Sequence, residues 1–133
     1  MDRTGARVAA MKLLYAWEIG GDGGEETKAG LLEIEPFENE SDFVDALVMG
    51  VRVNLSEVDA LIERYADGWR IDRLHKIDLT ILRIAVYELI HNVTPRGVAI
   101  NEAIEMAHTY STPESGPFIN GVLGSMARDR DDA

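Results

Sequence analysis

Asp78-Leu-Thr-Ile-Leu-Arg83-Ile-Ala-Val-Tyr-Glu88-Leu-Ile90 is the stretch that decides the fold. Its apolar side chains fall on nearly every face of a helix, and a helix apolar all round has to be surrounded by other elements. This segment is therefore expected to be the central helix. Asp78 is placed to cap it, with Ile77 and Leu82 at the two positions of a hydrophobic staple. Elsewhere the apolar period is helical too, and no alternating run is long enough to nominate a strand. The expected class is all-α, a compact bundle of about six or seven helices, with two antiparallel subbundles as one arrangement.

On the N-terminal side, Ala10, Leu13, Leu14 and Trp17 give an amphipathic first helix over about Arg3 to Ile19, stopped by Gly20-Gly21. Residues 20–40 are glycine-rich and then glutamate-rich, with a short apolar patch at Leu31, Leu32 and Ile34, and read as a loop containing at most a short helix. From Ser41, placed as an N-cap, Val44, Leu47, Val48, Val51, Leu55, Val58, Leu61, Ile62 and Tyr65 form one stripe. That reads as a single helix, the longest of the chain. Gly50 inside it costs ~1 kcal/mol relative to alanine, which points to the close approach of another helix. Asp67-Gly68 breaks the chain, and Ile71 to Lys76 form a short turn or helix. On the C-terminal side, Asn92 to Gly97 form a turn and Val98 to Tyr110 a helix. Thr112 to Pro117 punctuate again, Phe118, Val122 and Met126 face inward on a last helix, and Arg128 to Ala133 read as a solvated tail.

The 133 residues fit one domain, 1–133, without internal repeat or linker. There is no cysteine, which excludes a disulfide framework, a thiolate metal site and a thiol nucleophile. No stretch approaches the ~20 apolar residues of a membrane span, so a soluble, cytoplasmic protein is expected. A formal charge of −11 argues against a general nucleic-acid binder. Its distribution is uneven, however. Residues 1–17 carry Arg3, Arg7 and Lys12 against Asp2 alone, whereas residues 22–45 carry nine acids and only Lys28.

No catalytic constellation emerges. His75, His91 and His108 make no helical ligand pair, so no metal or other cofactor is implied. Glu102 and Glu105 lie three apart on one helix, a spacing as common on solvated faces as in a carboxylate pair, and no acid or base partner is evident. Gly20-Gly-Asp-Gly-Gly24 follows a helix rather than a strand and lacks a phosphate-loop lysine. Binding is thus favoured over catalysis. Arg3, Arg7, Met11 and Tyr15 follow an i+4 row near Lys12. Guanidiniums pair with phosphates, and a phenol ring stacks on an unpaired base for ~1–3 kcal/mol, which is how single-stranded RNA is held.

Three blocks together resemble the signature of the NusB family, bacterial transcription antitermination factors: the 78–89 run, then Val98-Ala-Ile-Asn101-Glu102-Ala-Ile-Glu105, then Phe118-Ile-Asn120-Gly121-Val-Leu123. Arg3 to Trp17 is similar to the family's arginine-rich opening helix. The resemblance implies two packed three-helix units with an extra helix. It further implies binding of single-stranded boxA-type RNA of ribosomal RNA leaders together with NusE, a small-subunit ribosomal protein, within the RNA polymerase antitermination complex. Arg3, Arg7 and Lys12 would then hold phosphates and Tyr15 a base. Tyr110 and Glu114 match positions near the meeting of RNA and NusE, and Asp78 an acidic position facing NusE.

Arg83, Asn101 and Asn120 also lie in the signature, where hydrogen bonds that stabilise the fold account for them equally well. Thr4 and Gly5 interrupt the opening helix where other members carry arginines, Pro117 stands where a basic residue is common, and Gly124 where a polar one is. With ~2–3 phosphates neutralised, the opening helix would contribute about −1.4 to −2 to the salt slope. Stable RNA binding would then need NusE. Two other readings remain: a protein-binding helical adaptor without RNA contact, and an accessory NusB-like domain of a ribosomal RNA methyltransferase, for which the chain holds no cofactor loop. A homodimer is compatible with all of these.

Overall fold

The computed structural model describes residues 2–20 and 38–132. Six α-helices lie among them: α1 (Arg3–Glu18), α2 (Ser41–Val53), α3 (Leu55–Tyr65), α4 (Lys76–Ile90), α5 (Arg96–Tyr110) and α6 (Ser115–Asp132). Short 3₁₀ turns at Glu38–Glu40 and Ile71–Arg73 precede α2 and α4. No strand occurs among the described residues, so the all-α expectation holds. The loop expected over residues 20–40 lies almost wholly outside the described residues.

The α4 helix occupies the centre and packs against all five others. Leu79, Ile81, Leu82, Ile84, Ala85, Val86 and Leu89 are all buried, as a helix without a solvated face requires. Two groups of helices meet on it, α1 with α2 on one side and α3, α5 and α6 on the other. Gly50 of α2 lies directly under the Tyr87 ring, in a space where a Cβ would overlap the ring carbons. The glycine is there because α2 and α4 come together at that point.

The single helix expected over 41–65 is two. Asn54 ends α2: its backbone N–H and its side-chain Nδ2 both donate to the Gly50 carbonyl, at 3.1 and 2.8 Å. A side chain that takes over a helical carbonyl competes with the ladder, and α3 begins anew at Leu55. The longest described helix is therefore α6, at 18 residues, and it includes most of the expected C-terminal tail as well as Ser115–Pro117. Proline is tolerated in that first turn because its missing N–H would have no helical partner there.

Asp78 does not cap α4. The helix begins at Lys76 after His75, and Asp78 sits in its first turn, buried, accepting from Ser111 Oγ at 2.6 Å and Ser115 Oγ at 2.9 Å. The carboxylate still suits the positive helix end. Its partners, however, belong to the α5–α6 corner, so it ties that corner to the centre of the fold. A second tie is Arg83, which pairs with Asp59 through Nε and Nη2 at 2.8 and 2.9 Å and with Glu18 through Nη1 at 3.0 Å, joining α1, α3 and α4. Burial works against its charge, but the hydrogen bonds to Asp59 and Glu18 outweigh this and hold the guanidinium above its ordinary pKa.

Candidate nucleic-acid interface

The opening helix turns its expected RNA row partly inward. Arg7 is buried, donating from Nε and Nη2 to both oxygens of Glu88 at 2.9–3.2 Å and from Nη2 to Thr94. Glu102 stands 3.6 Å from its other terminal nitrogen. With a side chain only 4% exposed, Arg7 lies in a buried ion pair rather than on the open surface where the sequence reading placed it. Met11 is buried as well. The reason is the 40° drift of an i+4 row, which carries Arg7 and Met11 onto the core side.

Arg3 is different. Its side chain is 59% exposed, lies over Phe43 with the guanidinium carbon 3.9 Å from the ring centre, and donates through Nε to Glu40 at 2.9 Å. Lys12 and Tyr15 are half-buried on α1. The Lys12 ammonium sits 5.6 Å from the centre of the Tyr110 ring, which is 37% exposed at the end of α5. Two of the expected residues, 98 positions apart in the chain, thus share one place on the surface. Such a pair gains from the ring's negative face and leaves both groups accessible.

Between α1 and α5 runs a groove of about 480 Å³, lined by Thr4 and Val8 on one side and by Asn101, Glu102, Glu105, Met106, Thr109 and Tyr110 on the other. Thr4 donates to Glu102 at 2.7 Å near one end, and Lys12 meets Tyr110 near the other. Beyond the α5–α6 corner lies a more apolar cleft of about 360 Å³, where Trp69, Leu74, His75 and Phe118 surround Asp78 and Glu114. Glu114 is exposed there, whereas both oxygens of Asp78 are taken by the two serine hydroxyls. The structure therefore brings Lys12 to Tyr110 and Asp78 to Glu114, with the 111–114 corner between the two sites.

The NusB family model matches residues 4–128. The chain belongs to the NusB family. It is 45% identical over 130 residues to the transcription antitermination protein NusB of Acetivibrio thermocellus, covering 96% of this chain and 90% of the relative. Among solved structures it is similar to T. maritima NusB, with a TM-score of 0.85 and 35% identity over 96% of this chain and 92% of that one. A crystal structure of the antitermination factors NusB and NusE with double-stranded RNA matches with a TM-score of 0.82 and 27% identity, covering 96% of each chain.

Within this NusB-family fold, sequence reasoning missed the groove residues Thr4, Val8, Glu105 and Thr109 as a site. The signal was present as two i+4 rows, Thr4–Val8–Lys12 and Asn101–Glu105–Thr109. Nothing in the sequence alone says that these rows face each other. Among the described residues no cluster of histidine, aspartate and glutamate could hold a metal ion, and no helix is long and apolar enough to cross a membrane.

Proposed function

We propose that this protein is a transcription antitermination factor that binds boxA-type RNA of ribosomal RNA leaders together with NusE, in the cytoplasm and by assembly rather than turnover. Its membership of the NusB family supports the reading. The observation that carries it to particular residues is the Lys12 ammonium over the exposed Tyr110 ring, a cation and a stacking surface side by side. In this reading Lys12 and Arg3 meet phosphates and Tyr110 and Tyr15 meet bases. Arg7 holds the opening helix in place from within. The Trp69–Phe118 cleft with Glu114 faces NusE, and Asp78 shapes that cleft from below.

The acidic body suits a basic ribosomal protein, with complementarity speeding encounter and fixing orientation more than deepening affinity. A protein-binding adaptor without RNA contact is the second reading. It is favoured by one specific observation, the internal neutralisation of Arg7. Titrating the protein with boxA-like and scrambled RNA, each with and without NusE, separates the two. Preference for boxA-like RNA, strengthened by NusE, is expected. Equal affinity for both RNAs under both conditions would establish the adaptor instead.

A further inference from the structure

The groove between α1 and α5 has the build of a slot for a single unpaired base. Its length is bounded by the Thr4–Glu102 hydrogen bond and by the Lys12–Tyr110 contact. Its floor is apolar, formed by buried Met106 and half-buried Val8. Asn101, Glu105 and Thr109 form one rail along α5, spaced by four residues and therefore on one face of that helix. Tyr110, 37% exposed, offers a ring for stacking.

The two carboxylates of the groove are not equivalent. Glu102 is already occupied, accepting from Thr4 at 2.7 Å and standing 3.6 Å from Arg7. Glu105 is exposed and has no side-chain hydrogen bond or ion pair among the described residues. An ionised carboxylate accepts hydrogen bonds and donates none. Of the four bases, only guanine presents two adjacent N–H donors on its Watson–Crick edge, at N1 and N2. Adenine and cytosine set a donor beside an acceptor, and uracil sets its donor between two acceptors, so a carboxylate would face a lone pair in each. Lys12 at the rim supplies the positive charge that a nucleotide's phosphate needs so close to two acids.

We infer that the α1–α5 groove receives one unpaired guanine, stacked against Tyr110 and read along its Watson–Crick edge by Glu105. This rests on the RNA-binding reading above and adds to it a base identity and the residue that selects it. A single good two-point contact of this kind discriminates between bases by roughly ten-fold or more.

The test is the affinity of the protein with NusE for boxA-type RNA in which each guanine is replaced in turn by adenine or by inosine, which lacks the N2 amino group. One guanine is expected to be special: its replacement by adenine weakens binding roughly ten-fold, and by inosine by an intermediate factor. E105Q is expected to bind the parent RNA at the weakened level and to lose the distinction, with an unchanged melting temperature because Glu105 is solvent-exposed. An E105Q protein that keeps the full guanine preference overturns the inference. So does an E105Q protein with weakened NusE binding in the absence of RNA, since the groove would then hold a basic side chain of the protein partner. If the wild type prefers boxA-like to scrambled RNA yet tolerates every guanine replacement, the slot falls and the proposed function stands. No preference for boxA-like RNA at all removes both.

Discussion

Removing the Arg7 guanidinium would leave the Glu88 carboxyl without its charged partner where water does not reach, since Glu88 is 1% exposed and its other donor is a single threonine hydroxyl. Breaking a buried pair from one side costs ~3–5 kcal/mol. Arg7→Ala is thus expected to lower unfolding free energy by about that amount in a denaturant titration. Arg3→Ala, whose ion pair is largely solvated, should cost under ~1 kcal/mol. A variant carrying both changes therefore cannot report on RNA alone, and Arg3→Ala and Lys12→Ala are the informative single changes. These two arginines look alike in sequence, four residues apart on one helix. What distinguishes them is their distant partners, above all Glu88, 81 positions from Arg7, and no local pattern carries that information.

A second expectation at this scale concerns Tyr65, whose hydroxyl donates to Asp129 at 2.8 Å. That hydrogen bond, with a smaller contribution from desolvation, raises the phenol above its ordinary pKa. A group that holds its proton more tightly when folded contributes stability in full below its unfolded pKa and loses it as pH rises through the folded one. Spectroscopic titration of the tyrosines should accordingly show a late-ionising component in the wild type that is missing in Tyr65→Phe.

Among elements, the contact of α2 with α4 is decided by Gly50. Gly50→Ala gains up to ~1 kcal/mol in helix propensity but drives a methyl group into the Tyr87 ring, and overpacking of that kind costs ~1–3 kcal/mol. A lowered melting temperature is expected, with the loss reduced when Tyr87 is also replaced by leucine. This contact was readable in advance, because glycine inside an otherwise good helix has few other reasons to be there. The break four residues later was not. Val51, Leu55 and Val58 keep the helical period straight through Asn54, and what ends α2 is a side chain bonding back to a carbonyl rather than any change of pattern. The corner at Asp78 is similar. An acid at a helix start suggested a cap, while its actual partners, Ser111 and Ser115, lie more than thirty residues on. Asp78→Ala should cost ~1–3 kcal/mol, measured by thermal unfolding, by removing the charged acceptor that both hydroxyls share and leaving them only each other and Thr112.

For the molecule as a whole, a net charge of −11 means that RNA has to be held against a repulsive background. With Arg7 withdrawn, Arg3 and Lys12 remain on the opening helix, and at roughly −0.7 per phosphate they contribute about −1.4 to the slope of log affinity against log salt. Lys12→Ala should flatten the measured slope by about half of that contribution, an outcome read from binding at several salt concentrations. The all-helical bundle and its central member were legible because periodicity and all-round apolarity are properties of a single segment. The facing of α1 and α5 across an open groove was not, since it depends on how both dock on their common neighbour.

That common neighbour, α4, touches every other described helix, so its backbone amides can meet solvent only when the whole assembly comes apart. Deuterium uptake along 79–89 then measures the global opening equilibrium directly. It supplies an internal reference against which a variant on either face of the bundle can be scored as locally or globally altered.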